Sequence, residues 1–177
     1  KQTISLRSGN EEAHEVSFDL FLKTWSRAQS WAMVTTQPNK LPATATEMSI
    51  VETANALEQV GEIESALAAY KAILSTWPEN TMATFGAGNS AYALARYDEA
   101  EQFFVTYLNG QRDAVAGWNN LAYTFVQQGC VEQAKKAINC ALQIEPGNAG
   151  LSESFQEINQ FKNEMLNPAC RLVDCPK

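Results

Sequence analysis

Gly61, Ala95 and Gly129 stand 34 residues apart, and so do Ala66, Ala100 and Ala134. The same offset joins Tyr70 to Phe104 and Ile138, and Ile73 to Tyr107 and Ala141. Earlier in each unit it joins Ile50, Thr84 and Trp118, then Ala54, Gly88 and Ala122. Pro78 and Pro146 lie two periods apart, with Arg112 in the slot between them. A period of this size, kept without a gap, leaves few architectures open. Each unit is one supersecondary element that buries its apolar face only by stacking on the next. The units are Glu47–Asn80, Thr81–Ala114 and Val115–Asn148.

Each unit reads as two amphipathic helices around a turn. In the third, "GWNNLAYTFVQQG" places Trp118, Leu121, Ala122 and Phe125 on one helical stripe. Gly129 can supply the left-handed residue that ends this helix. The second helix, "VEQAKKAINCALQIEP", stops at Pro146, whose ring and missing N–H break the hydrogen-bond ladder. The alanines and glycine at 54/88/122 and 66/100/134 predict a close crossing, because a larger side chain there would push the helices apart.

This pattern strongly resembles the tetratricopeptide repeat between residues 47 and 148. The third unit matches best, with Trp118, Leu121, Ala122, Gly129, Ala134, Ala141 and Pro146 in the family's signature slots. Arg112 and Ala95 depart from the family's proline and glycine, and Thr53 from its leucine. The resemblance implies a mainly α fold, an α-solenoid of three helix pairs, with a groove lined by the first helix of each pair. Carried over slot by slot, the groove holds Met48, Val51, Asn55, Glu58 and Gln59, then Met82, Phe85, Asn89, Tyr92 and Ala93. The third unit adds Ala116, Asn119, Tyr123, Val126 and Gln127, with Asn120 beside them. The asparagines can donate to and accept from an extended peptide backbone, or they can bridge helices and face water. Phe85, Tyr92 and Tyr123 can pack partner side chains at low entropic cost. The family's carboxylate clamp uses Lys and Arg in slots that Met48, Val51, Met82 and Ala116 occupy here, which argues against a carboxylate ligand.

A stack of helix pairs leaves its last apolar face open unless something covers it. Residues 149–166 fit a capping helix, with Leu151, Phe155, Ile158, Phe161 and Met165 on one stripe. Running back along the last helix of the third unit, it would end near Cys130. The tail 167–177 carries Cys170 and Cys175, so Cys130 is expected to pair with one of them and Cys140 with the other. No CxxC occurs and His14 is the sole histidine, so no metal site or cofactor is expected.

The first forty residues differ. "QTISLRSG" alternates as a strand and turns at Ser8-Gly9-Asn10. Glu11, Glu12 and Glu15 read as a polar turn around His14. "SFDLFLKTWSRAQ" has helical spacing at Phe18, Phe21, Leu22 and Trp25, and "SWAMVTTQP" reads as a second strand stopped by Pro38. This small β-α-β appendage resembles the closing segment of papain-like cysteine peptidases of the bacteriocin-leader-processing type, joined to such repeats in bacterial envelope proteins. The resemblance covers residues 1–45 and implies that the nucleophilic Cys and the catalytic His precede Lys1, in a longer parent chain. Arg7-Ser8 offers no Asp or Asn where the wider family often keeps its orienting residue. "NKLPATA" is the hinge to the first repeat and not a sorting signal, since no Gly follows the Thr.

With no Gly-rich phosphate loop, GxSxG or HExxH, this chain is expected to be non-enzymatic. The formal net charge of −7 argues against nucleic acid, and no apolar run spans a bilayer. Three readings follow. The first is an interaction scaffold for a protein or peptide, soluble and resident in the bacterial envelope or periplasm. The second is a substrate-positioning part of a cysteine peptidase, and the third is a self-association (homo-oligomer) module.

Overall fold

The computed structural model describes residues 2–8, 10–27, 29, 35–161, 170–171 and 174–175. They divide into two compact units, Lys1–Thr35 and Thr36–Lys177. The smaller holds strands β1 (Thr3–Ser8) and β2 (Glu11–Ser17), paired antiparallel with Ile4 opposite Val16 and Leu6 opposite His14, and helix α1 (Phe18–Arg27). The expected polar turn around His14 is therefore a strand. Its sequence lacks the apolar alternation that would have announced it, because a lone two-stranded ribbon has no core face to cover. The second strand expected at Ser30–Pro38 falls largely on residues outside those described.

The larger unit is a stack of helices whose starts keep the sequence period. Helices α2 (Glu47–Gln59), α4 (Thr81–Ala93), α6 (Val115–Gln127) and α8 (Ala149–Gln160) begin at 34-residue intervals. So do α3 (Ile63–Thr76), α5 (Tyr97–Gly110) and α7 (Val131–Ile144). Helix α8 packs on both α7 and α6, and so takes the place of a fourth first helix while it closes the stack. In the row α2, α4, α6, α8 the backbone of each helix approaches the next, whereas the backbones of α3, α5 and α7 stay apart and α3 meets α5 through the Lys71–Glu99 ion pair. The closer row is the inner, concave side of the stack.

The core lies between the rows. Ala54, Ala66, Ala100, Ala122 and Ala134 are fully buried, so backbones meet with little side chain between them. Glycine goes further at two places on α4. A Cβ at Gly86 would lie 2.3 Å from the Tyr70 ring, and one at Gly88 would lie 2.6 Å from Phe104. The aromatic rings of the outer helices thus reach inward because α4 has no side chains in their way.

Helix ends repeat as well. Thr46 caps α2 in a capping box with Ser49, while Asn80 and Asn148 accept from the backbone N–H of Ala83 and Leu151. Ala114, in the equivalent slot before α6, has no side-chain cap bond. The first helix of each unit is followed by a left-handed residue: Gly61 at φ 84°, Ala95 at φ 56° and Gly129 at φ 76°. Alanine in that region has its Cβ crowded against the following carbonyl. At Arg112, which replaces proline, the backbone carbonyl accepts from Trp118 Nε1 at 2.8 Å and secures the turn another way.

Two disulfides fasten the tail to α7: Cys130–Cys170 and Cys140–Cys175, with sequence separations of 40 and 35. Arg171 adds an ion pair to Glu101 of α5 at 3.3 Å. The described tail residues, 170–171 and 174–175, therefore lie against the outer helices α5 and α7.

Two repairs of the repeat pattern should stabilise the protein. Ala95→Gly relieves the left-handed strain and Ala114→Asn supplies the absent cap, each by about 1 kcal/mol in urea unfolding. Gly86→Ala should cost about 1–3 kcal/mol, because the Tyr70 ring has to move. Replacing Cys140 and Cys175 together by Ser should lower stability by about 2–4 kcal/mol, read as a lower thermal midpoint, because the unfolded chain regains the freedom the cross-link removes.

Candidate functional site

One turn of each inner helix presents a side chain in the same repeat slot: Asn55 on α2, Asn89 on α4, Tyr123 on α6 and Glu157 on α8. The helices place these four residues in register because the period returns the same face to the groove every 34 residues. Between α4 and α6 the row opens into a pocket of about 280 Å³ lined by Asn89, Tyr92, Phe104, Asn120 and Tyr123. Phe104 belongs to the outer helix α5 and forms the floor, standing over Gly88. The walls are two tyrosines and two amides.

Hydrogen bonds hold these walls in place. Asn120 Nδ2 donates to Asn89 Oδ1 at 2.8 Å, which ties α6 to α4 across the pocket. Tyr123 donates its hydroxyl to Glu157 Oε2 at 2.7 Å, which joins α6 to α8. Tyr92 bonds the Gln127 side chain and packs edge-on against Tyr97, their ring centroids 5.6 Å apart. Partial burial raises the hydroxyl pKa values of Tyr92 and Tyr123 above the ordinary tyrosine value, and the Glu157 charge pushes both further. Both hydroxyls are therefore protonated donors at neutral pH.

The corresponding place between α2 and α4 is lined differently. Tyr70 occupies the slot that Phe104 holds one unit later, and its extra hydroxyl donates to Asn55 Oδ1 and to Glu58 Oε2, the latter at 3.1 Å. Burial, and then the nearby Glu58 carboxylate, push the Tyr70 pKa well above the ordinary value. Around that hydroxyl, Glu58, Gly86 and Asn89 stand where Tyr92, Asn120 and Tyr123 stand one unit later, so the two places differ in four of the five lining slots.

Of the sequence-derived groove residues, the structure brings Asn89, Tyr92, Asn120 and Tyr123 to the pocket. Met48 and Met82, one period apart, stand exposed on the inner row at 56% and 50%. Gln59, Ala93, Ala116 and Gln127 are also exposed, and Glu58 and Val126 are half-buried. Val51 is a correction: at 1% exposure it belongs to the core, because the close approach of α2 and α3 closes over it. Phe85 packs on Phe104 and Tyr107, with ring centroids 5.9 and 4.9 Å away, and so stiffens the floor. The Asn119 amide nitrogen lies 3.5 Å from Asn120 Oδ1, and its own Oδ1 is buried without a partner among the described residues. Asn55, Asn89 and Asn120 all bridge protein groups.

Sequence reasoning missed Glu157, Phe104 and the inward role of α8. The signal for α8 was the continued 34-residue register of its Asn148 cap with Asn80. It was masked because the signature residues decay there: Ser152 and Gln156 stand in the slots of Trp118 and Ala122.

With this geometry in place, comparison with known proteins shows the fold. Residues 51–114 match the family model described as a tetratricopeptide repeat. Solved tetratricopeptide structures share the fold at low identity. The second repeat domain of the human RPAP3 protein, in complex with HSP70 peptide SGPTIEEVD, is 18% identical with a TM-score of 0.61, covering 64% of this chain and 94% of that one. The first such domain, bound to HSP90 peptide SRMEEVD, gives the same identity and TM-score, covering 64% and 90%. MamA from Desulfovibrio magneticus is 16% identical with a TM-score of 0.62, covering 80% and 72%. No curated protein matches the chain. The fold is that of the tetratricopeptide repeat, a stack of antiparallel helix pairs. No helix among the described residues is long and apolar enough to cross a membrane.

The Tyr70 environment has a pH signature. Its folded pKa is raised above the unfolded value near 10, so its contribution is fully present below pH 10 and is lost as the pH rises beyond it. Unfolding free energy measured between pH 9 and about 11 should fall with pH, and Tyr70→Phe should flatten that slope.

Proposed function

We propose that the protein is an interaction scaffold whose inner face holds an extended segment of a protein partner. The observation that carries this reading is the pocket between α4 and α6. It sets hydrogen-bonding amides beside aromatic rings on an exposed concave surface. Amides can satisfy a peptide backbone, and rigid aromatic rings bury partner side chains with little loss of freedom. Likeness to repeat domains that hold short peptides supports the same use of the groove. The Tyr123–Glu157 bond extends that face onto α8, so a bound segment would cross from the second unit to the end of the stack.

The setting we propose is an oxidising compartment such as the bacterial envelope. Two disulfides support it, since such bonds are reduced or rare in the cytosol. The likeness of residues 1–45 to the end of a peptidase domain would then place the scaffold behind such a domain in a longer chain.

The test is selection of displayed random peptides on the intact chain, followed by affinity measurement on the enriched sequences. Asn89→Ala and Tyr123→Ala should each weaken capture by about tenfold or more. Asn139→Ala, on the exposed face of the outer helix α7, should leave it unchanged. Equal capture by wild type and both groove variants would reject the groove.

A further inference from the structure

The inner row has an unusual charge pattern. None of helices α2, α4, α6 and α8 carries a lysine or arginine, while Glu47, Glu52, Glu58, Glu153 and Glu157 all lie on them. The described cations that form ion pairs sit elsewhere: Lys71 on α3, Arg96 before α5, Lys135 on α7 and Arg171 in the tail. Glu157 has no ion-pair partner among the described residues. Its carboxylate is instead oriented by the Tyr123 hydroxyl at 2.7 Å, at the edge of the pocket whose walls are the Tyr92 and Tyr123 rings.

We infer that the pocket between α4 and α6 takes a cationic side chain, lysine or arginine, from the bound peptide segment. Three features on the page converge on that chemistry. Two electron-rich ring faces attract a cation. A carboxylate held at the pocket rim by a neutral donor keeps its charge available for a charge-assisted hydrogen bond. The absence of a competing cation along the four inner helices leaves that charge to the partner and steers basic segments toward the groove. The acidic peptides SRMEEVD and SGPTIEEVD held by the structurally similar domains are the opposite class of ligand. Here such a segment would meet Glu157 and no inner-row cation.

The inference rests on the peptide-groove reading, and one experiment separates the two. Random displayed peptides are selected on the intact wild-type chain, and the enriched sequences are resynthesised with the basic position as Arg, Lys, Gln or Glu. Fluorescence anisotropy then gives their affinities. The expected result is enrichment of a basic residue at one fixed position. Arg and Lys peptides should bind on the order of tenfold more tightly than the Gln peptide, and the Glu peptide more weakly still. Glu157→Gln should remove most of that preference while the Gln peptide binds as before. Tyr123→Phe keeps the ring but frees the carboxylate, and should reduce the preference less. Enriched peptides without a basic position, or a preference unchanged in Glu157→Gln, would overturn the cation pocket and leave the groove standing. No enrichment of any sequence would overturn both.

Discussion

The close approach of paired helices is the constraint on which the rest of the structure depends. Fully buried alanines at 54, 66, 100, 122 and 134, with Gly86 and Gly88 on α4, let backbones pack nearly in contact. Because no bulk separates the helices, Tyr70 and Phe104 can cross from the outer row to the inner face. Their ring positions then determine what that face offers. The hydroxyl of Tyr70 binds Asn55 and Glu58 between α2 and α4, while Phe104, which has no hydroxyl, lines the pocket between α4 and α6. Packing density and groove chemistry are thus one property seen from two sides.

Contacts between successive units hold the stack at small energetic cost and fix its register. Asn80 donates to Glu47 at 2.7 Å, and Arg96 grips Glu64 with contacts of 2.8 and 2.9 Å. Gln128 reaches both Asp98 and Glu101. Exposed pairs of this kind contribute little each, so the apolar core carries most of the stability. At the far end the same job passes to covalent bonds. Two disulfides pin the tail along α7, where no further outer helix among those described arrives to pack. Cys170, Arg171 and Cys175 thus fasten the chain to α5 and α7.

The charge on the inner row is one-sided. The fold is shared at 16–18% identity, a likeness that shows the frame and says nothing of what the groove holds. Specificity in a repeat scaffold lies in side chains that packing does not constrain. The inner row here is tyrosine, asparagine and glutamate with no lysine or arginine. A frame of this kind can turn from one peptide class to another without any change in its core.

Much of the fold was legible in the sequence because it is a one-dimensional problem. Gly61, Ala95 and Gly129 mark the turns, and the alanine slots mark the crossings, each from neighbours within its own unit. Asn89, Tyr92, Asn120 and Tyr123 were legible for the same reason, since a slot number predicts which way a side chain faces. Val51 was misjudged because its burial depends on how tightly α3 closes over α2, which a slot number does not carry. The hairpin at Glu11–Ser17 was missed because backbone pairing without a buried face leaves no apolar pattern. Glu157 was missed because α8 has lost the signature residues while keeping the spacing. The sequence alone therefore determined the repeat, its helices and most of the groove's wall. Only the tertiary structure decided that α8 joins the inner row, that Tyr123 hands its proton donor to Glu157, and that a pocket opens between α4 and α6. Those outcomes arise between units, where the distance between two side chains depends on packing that no local period encodes.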